Sequence, residues 1–364
     1  MTASLRAGRG AVPVGPGEAL REATRLLSSA GWIEEGPSGA LTLSATRGCV
    51  IGLDLGGTKL RGAIENAAGD ILVEFDQPTA NHAPDSTLAQ MAEMARSLAS
   101  QAGVPFDVIE HIAIGVPGAV SPDGRVVLSP NVSFDRDTTL AATLRDMLGS
   151  RVSVDNDGNL SAFGEFVSGR GPERGARSLA FLAIGTGVGM GLIVDGRLLR
   201  GKSGAAGEIA FLPFGADPFR TAEQHPSGAF EAAVGTDAIR RSYALRTGTG
   251  LGVREIFDRA DRGDGAAREV VDEATRNIAL GVATVIALLD PGIVVVGGGI
   301  GARPGVAEAI GRHTAKLVPT ACDVVASALG DRAGIVGAVA FAQRQSRLNL
   351  IDGLALASMA EVAA

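Results

Sequence analysis

The chain has 364 residues, too many for one small core and enough for two lobes, and its 46% hydrophobic and 20% charged residues are those of a globular protein rather than a disordered one. A net charge of −7 with no basic block along the sequence argues against a broad nucleic-acid-binding face and leaves room only for a local basic patch. Two isolated cysteines, Cys49 and Cys322, make neither a disulfide framework nor a cysteine-rich zinc site; with no apolar run of membrane-spanning length and no leader-like start, the expected compartment is the cytoplasm.

In chain order, residues 1–17 are rich in Gly, Pro and small side chains and read as loosely held. From Glu18 to Ala30 the spacing of Leu20, Ala23, Leu26 and Leu27 predicts a helix, stopped by Gly31. WIEEGPSGALTLSA then reads as two short strands about a turn. From Cys49 the pattern becomes long alternating α/β: a strand into a glycine turn, a hairpin partner, a third strand, and a helix over Leu88–Ala102. A buried strand at HIAIGVPGAV, a helix over Thr138–Leu148, a strand at RVSVDND and a helix from Leu160 follow. VIGLDLGGTKLRGAI can be laid over LAFLAIGTGVGMGLIV, so the chain carries a weak internal repeat of strand, Gly-Thr turn and strand, as two related lobes facing a cleft would. Helices around Ala266–Leu289, an apolar strand IVVVGGG and a last strong helix over Ala333–Gln343 complete the pattern. The expected division is an extension at 1–48, a first lobe at 49–165, a second lobe at 166–345 whose last helix packs back on the first, and a tail at 346–364.

Six short segments bear chemistry. Asp54-Leu55-Gly56-Gly57-Thr58-Lys59 brings a carboxylate to a strand end beside a turn with free backbone N–H groups, suited to anionic oxygens, and Asp54 suits a hydrated Mg²⁺ next to them; an ordinary Gly-Gly hairpin with a capping Asp reads the same way. Gly185-Thr186-Gly187-Val188-Gly189 repeats that context. Asp155-Asn156-Asp157-Gly158-Asn159 ends a strand, where Asp157 suits the base that takes a hydroxyl proton; an Asx turn capping the next helix is the competing account. Glu208, after Gly204-Ala205-Ala206-Gly207, and Glu231, after Gly228-Ala229-Phe230, are placed to accept sugar hydroxyl hydrogen bonds or are solvated loop acids. Gly297-Gly298-Gly299 suits close approach of a nucleoside or phosphate, or is a tight strand–helix turn.

Taken in order, IGLDLGGTKLRGAI, GVPGAV, SPNVSF, VDNDGNLSAFGE, AIGTGVGMGLIVDGRLLRG, GAAGEIAF and IVVVGGGI resemble the ROK family of sugar kinases and sugar-responsive repressors over about residues 49–345. The resemblance implies an α/β, actin-like and hexokinase-like (ribonuclease H-like) pair of lobes that use ATP and Mg²⁺ to phosphorylate a hexose, and a homo-oligomer. It implies that Asp157 is the base and that Gly118, Asn131, Asn156, Glu208 and Glu231 contact sugar. The nucleotide set is then Gly56, Gly57, Thr58, Lys59, Gly185, Thr186, Gly187, Gly298 and Gly299, with Asp54 holding Mg²⁺ through water. Two departures stand out. The family's Gly-Glu-Ile-Gly-His is here Gly207-Glu208-Ile209-Ala210-Phe211, and its cysteine-rich zinc loop is replaced by ADPFRTAEQHPSGAFE, whose one soft ligand is His225, so no zinc site is expected. The segment EALREATRLLSSAGWIEEGPSGALTLSATRG resembles the last helix and wing of the winged-helix domain in ROK repressors. A sugar-responsive regulator that contacts DNA through a reduced module is therefore the rival expectation.

Overall fold

The computed structural model describes residues 16–29, 31–35, 40–44, 47–80, 84–127 and 139–363. Most of the segment expected to be loose at the N-terminus, and Asn131, lie outside them. The N-terminal unit is a helix over Pro16–Ser29 and a ribbon of β1 (Ile33–Glu35) paired antiparallel with β2 (Leu41–Leu43). Gly31 ends the helix at φ +74, donating its N–H to Ser28 O, a conformation that favours glycine. Buried Trp32 anchors the unit on the main body: a Cβ on Gly48 would lie 2.6 Å from the Trp32 ring and 2.8 Å from Ala67.

That body is built twice. β3 (Cys49–Leu55), β4 (Lys59–Glu65) and β5 (Ile71–Pro78) form an antiparallel meander. β6 (Ile109–Val116) joins β3 in parallel, a two-residue pair, β7 (Ala119–Val120) and β8 (Val126–Val127), forms a small hairpin, and β9 (Val152–Asn156) joins β6 in parallel. The sheet order is β5-β4-β3-β6-β9. The second sheet repeats it with β10 (Leu179–Ile184), β11 (Val188–Val194), β12 (Arg197–Leu198), β13 (Ile293–Gly297) and β14 (Asp323–Ala326), in the order β12-β11-β10-β13-β14. The internal repeat seen in the sequence is this duplication. Central strands such as β13 are apolar throughout because both faces are covered.

Each sheet buries its outer face under helices: Pro84–Gln101 and Leu140–Leu148 on the first, and Thr236–Thr247, Val253–Asp261, Gly265–Leu289 and Val306–Thr314 on the second. Between the sheets lies a third core, made by the helices Asp157–Ser168 and Ala333–Ala363 with Val50, Ala63 and Ala113 on one side and Leu179, Phe181, Ile193 and Val295 on the other. The helix that leaves the first sheet packs on the second, and the last helix of the chain packs back on β3 and β6. A boundary at 165/166 would fall inside the first of these helices. Their crossing needs glycine: a Cβ on Gly337 would sit 1.7 Å from Leu160 O, and one on Gly164 2.5 Å from Ala333 O. The last helix runs on from Gln343 through residues read from sequence as a separate tail. Among the described residues no helix is long and apolar enough to cross a membrane.

Candidate active site

The carboxyl ends of β3, β6 and β9 and the turn after β10 bring described residues of the expected site together: a Cβ on Gly115 of β6 would lie 3.5 Å from both Asp54 Oδ1 and the Asp157 Cα, and one on Gly187 2.6 Å from Glu231 Oε2. Asp54 is the next-to-last residue of β3, and Gly56 N–H donates to Lys59 O at 2.9 Å to close the turn into β4. Thr79 ties that turn down, with Oγ1 donating to Gly56 O at 2.8 Å and its N–H to Thr58 O at 3.0 Å. Gly57 and Thr58 are exposed at its tip, and a Cβ on Gly57 would meet nothing within 4 Å. The matching turn after β10 is tighter, with Gly185 N–H donating to Gly187 O at 2.9 Å, while Thr236 donates to Gly185 O from both its N–H (3.2 Å) and its Oγ1 (2.8 Å). Gly298, at φ +79, has its backbone against Ile184, and Gly299 N lies 3.8 Å from the position a Cβ on Gly185 would take, so the third glycine segment joins the second turn.

Asp157 starts its helix directly after β9. Its Oδ1 accepts from Gly158 N–H at 2.8 Å and from Asn156 Nδ2 at 3.2 Å. Asn156 also donates to Gly118 O at 3.1 Å, and its Oδ1 accepts from Asn159 N–H at 3.0 Å. The capping account of this motif is realised, and the same Asn that caps the helix also donates to the neighbouring carboxylate. Burial pushes the Asp157 carboxyl up to about 7, with the charges of Asp54 and, more weakly, Glu208 adding to it against the Gly158 N–H. Burial likewise raises Asp54 to about 6, offset in part by Arg61 and Lys59. Glu208 is raised by burial and by Glu231. Glu231 is fixed by Val188 N–H, which donates to its Oε2 at 2.9 Å. Four acids thus lie near one another with too little positive charge, and an incoming cation or hydroxyl donor would relieve them.

Lys59 sits at the turn, but its ammonium lies 3.5 Å from Asp331 and 3.7 Å from Asp76. Arg61, the other cation of β4, bonds Asp331 at 3.0 Å. Sequence reading gave no role to Asp155, Arg61, Asp331 or Arg200; the ion pairs Asp155–Arg200 and Arg61–Asp331 join residues distant in sequence. Where the ROK zinc loop would lie, the chain has a short helix, Pro218–Gln224, capped by Asp217, with Phe211 and Phe219 exposed. Among the described residues, no three His, Cys, Asp or Glu side chains cluster as a metal site.

The ROK family model matches residues 50–345. The bifunctional enzyme NanE/NanK of Brucella melitensis is 31% identical over 342 residues, covering 92% of this chain and 60% of that protein; the chain thus spans less than two thirds of that relative. The glucokinase of Streptomyces coelicolor is 30% identical over 320 residues, covering 81% of this chain and 98% of the glucokinase. Among solved structures, a ROK family glucokinase from Streptomyces griseus in complex with glucose and AMPPNP superposes with a TM-score of 0.63 at 25% identity, over 81% of this chain and 99% of that one. A ROK family transcriptional regulator, a homologue of the E. coli MLC protein, superposes with a TM-score of 0.78 over 96% of this chain and 92% of its own; at 23% identity this is a likeness of fold.

Proposed function

The chain belongs to the ROK family, and from that premise we propose that it is an ATP-dependent sugar kinase that phosphorylates a hexose hydroxyl. The observation that carries the reading is Asp157: a carboxyl raised to about 7, oriented by Asn156 and Gly158, in a cleft shared with Asp54 and the Gly-Thr turns. A base with that pKa holds a large deprotonated fraction at neutral pH and still takes a proton readily. Glucose and AMPPNP in the Streptomyces griseus structure, and the glucokinase name of the Streptomyces coelicolor relative, support the substrate pair.

Asn156, Glu208 and Glu231 hold the sugar through its hydroxyl groups, and Asn131 completes that set. The N–H groups of Gly57, Thr58, Thr186 and Gly187 and the hydroxyls of Thr58 and Thr186, with Gly56 closing the first turn and Gly298 and Gly299 beside the second, hold the phosphates. Asp157 takes the proton from the attacking hydroxyl; that oxygen bonds the γ-phosphorus as the bond to the bridging oxygen breaks, leaving ADP and a sugar phosphate. Asp54 fits a hydrated Mg²⁺, because its half-buried carboxylate is under-compensated by Arg61 and Lys59. Mg²⁺ bound there supplies charge neutralisation to the phosphates. Closing the lobes on sugar excludes water and limits ATP hydrolysis. The test is sugar-dependent ADP release with Mg-ATP across hexoses and N-acetylhexosamines. Release with one or a few sugars supports the kinase and identifies its substrate; silence across the panel with sugar-dependent thermal stabilisation refutes turnover.

The N-terminal helix and ribbon favour a second reading, a sugar-responsive regulator that keeps the kinase core as its sensor. The regulator structure covers 96% of this chain where the Streptomyces griseus kinase covers 81%, and the extension lies within residues 1–49, which with 346–364 fall outside the matched family region. Sequence-selective binding to genomic DNA fragments, weakened or strengthened by sugar, would establish it.

A further inference from the structure

The acid one position before the expected sugar ligand Asn156 is more enclosed than either neighbour. Asp155 is 3% exposed, yet its two oxygens accept three hydrogen bonds and make one further ion-pair contact. Oδ1 takes Asn156 N–H at 2.9 Å and Asn159 Nδ2 at 2.8 Å; Oδ2 takes Arg200 Nε at 2.8 Å and Nη2 at 2.5 Å. Arg200 follows β12 in the second lobe, so this ion pair joins that lobe to the end of β9 in the first. Its guanidinium carbon also lies 5.4 Å from the ring centre of Phe341 on the last helix, in cation–π range.

Arg200 holds something else by its backbone. Its carbonyl accepts Ala206 N–H at 3.1 Å, closing the loop that leads two residues later to Glu208. That loop presses on the first lobe at Gly204, whose φ is +83 and whose added Cβ would lie 2.0 Å from Val120 O. One residue thus fastens the Glu208 loop through its main chain and the Asn156–Asp157 turn through its side chain.

We propose that the Asp155–Arg200 ion pair is a positioning device that sets the base Asp157 and the sugar ligand Asn156 in register with Glu208 across the two lobes. This rests on the kinase reading above. Neither residue touches the reacting atoms; they act through Asn156, Asn159 and the loop. As a source of stability alone, a buried ion pair is commonly replaceable by apolar packing. Here both its partners and its site lie in the geometry the reaction needs, where a displacement of about 1 Å costs on the order of 10²-fold in rate.

The experiment compares the parent with Arg200→Ala, Arg200→Lys, Asp155→Asn and Arg200→Ala/Asp155→Asn in full-length protein, measuring kcat, KM for sugar and for ATP, and thermal melting. Arg200→Ala is expected to lower kcat on the order of 10²-fold with KM for ATP changed less than about threefold. Millimolar guanidinium ion should restore much of that loss in Arg200→Ala and none in the double variant, which lacks the carboxylate that would seat it. The double variant should be little worse than either single one, as for partners in one unit. A kcat for Arg200→Ala within about threefold of the parent, or a loss that guanidinium does not repair, overturns the proposal. If Arg200→Ala does not fold, Arg200→Lys decides: it keeps the charge without the planar fork, so reduced kcat with unchanged melting supports the device and parent-like kcat overturns it. A parent with no sugar-dependent ADP release defeats the kinase reading instead. Calorimetric sugar affinity then tests the pair, and parent-like affinity in Arg200→Ala overturns it.

Discussion

The two sheets share one strand order and one pattern of parallel and antiparallel pairing, yet their strand ends differ. β3 carries Asp54 before Gly56, where β10 has Ala183 before Gly185. β9 leads with no gap into the helix that starts at Asp157, whereas β14 is followed by a loop to Ala333 before its helix begins. The second lobe answers with Glu208 and Glu231 from loops and short helices. The Gly-Thr turn recurs in both lobes, and on the kinase reading proposed above both turns hold phosphate, while the acids Asp54 and Asp157 at the strand ends lie in the first lobe. A chemical site between similar halves needs this asymmetry, because the group that takes the proton must lie on one side of the transferred group.

The largest test of that asymmetry is Asp157→Asn. We expect sugar-dependent ADP release to fall on the order of 10³-fold, within the range for removing a general base, while sugar affinity by calorimetry stays near the parent value. Melting should not fall, since the change removes a charge that burial already disfavours. Near-parent turnover would remove Asp157 from the role of base.

A second test is pH, where activity and stability should move in opposite directions. The carboxyls of Asp157 and Asp54 are raised to about 7 and about 6 from a usual value near 3.8. Between the unfolded and folded values the native state binds more protons than the unfolded chain, so these two groups oppose folding above about 7 and cease to do so as pH falls toward 4. Turnover should drop by about tenfold per pH unit below the titration of the base. Free of Mg²⁺ and nucleotide, Asp157→Asn/Asp54→Asn should flatten the rise in stability on acidification from pH 8 to 5. An unchanged pH–stability curve in that double variant would show that the cleft acids are not the source.

How far the sequence spoke depends on how local the cause was. The strand–turn–strand units were legible because alternation and Gly-Thr turns act over a few residues, and their recurrence gave the duplicated sheets. Asn156 was harder: its residue type fits a helix cap and a substrate ligand equally, and its side chain makes the cap while orienting Asp157. The return of the last helix onto the first sheet was an expectation of the two-lobe division, and the Gly164–Gly337 contact that permits it joins residues far apart in sequence. Arg200 and Asp155, and Lys59 with Asp331, are pairs whose partners are 45 or more positions apart in sequence. No periodicity marks a partner at that range, so the tether between the lobes and the ion pairs of Lys59 became visible only in three dimensions.

The smallest expected effect separates the two turns themselves. Gly57 has no positive φ, is exposed, and offers an added methyl open space. Gly57→Ala should therefore leave stability unchanged or raise it by about 0.4–1 kcal/mol through the unfolded chain, while weakening nucleotide binding because the methyl fills the space a phosphate would enter. Gly187 is different: its added Cβ would lie 2.6 Å from Glu231 Oε2, the oxygen that accepts Val188 N–H. Glu231 would have to turn away and leave that N–H unpaired, at a cost of about 1–3 kcal/mol, and the sugar side of the site would lose its fixed carboxylate. Thermal melting and calorimetric binding of sugar and of an ATP analogue should thus split the two variants, with Gly57→Ala affecting nucleotide alone and Gly187→Ala affecting stability and sugar as well. Equal behaviour of the two would mean that the turns are as alike in function as they are in topology, and that the carboxylates alone distinguish the lobes.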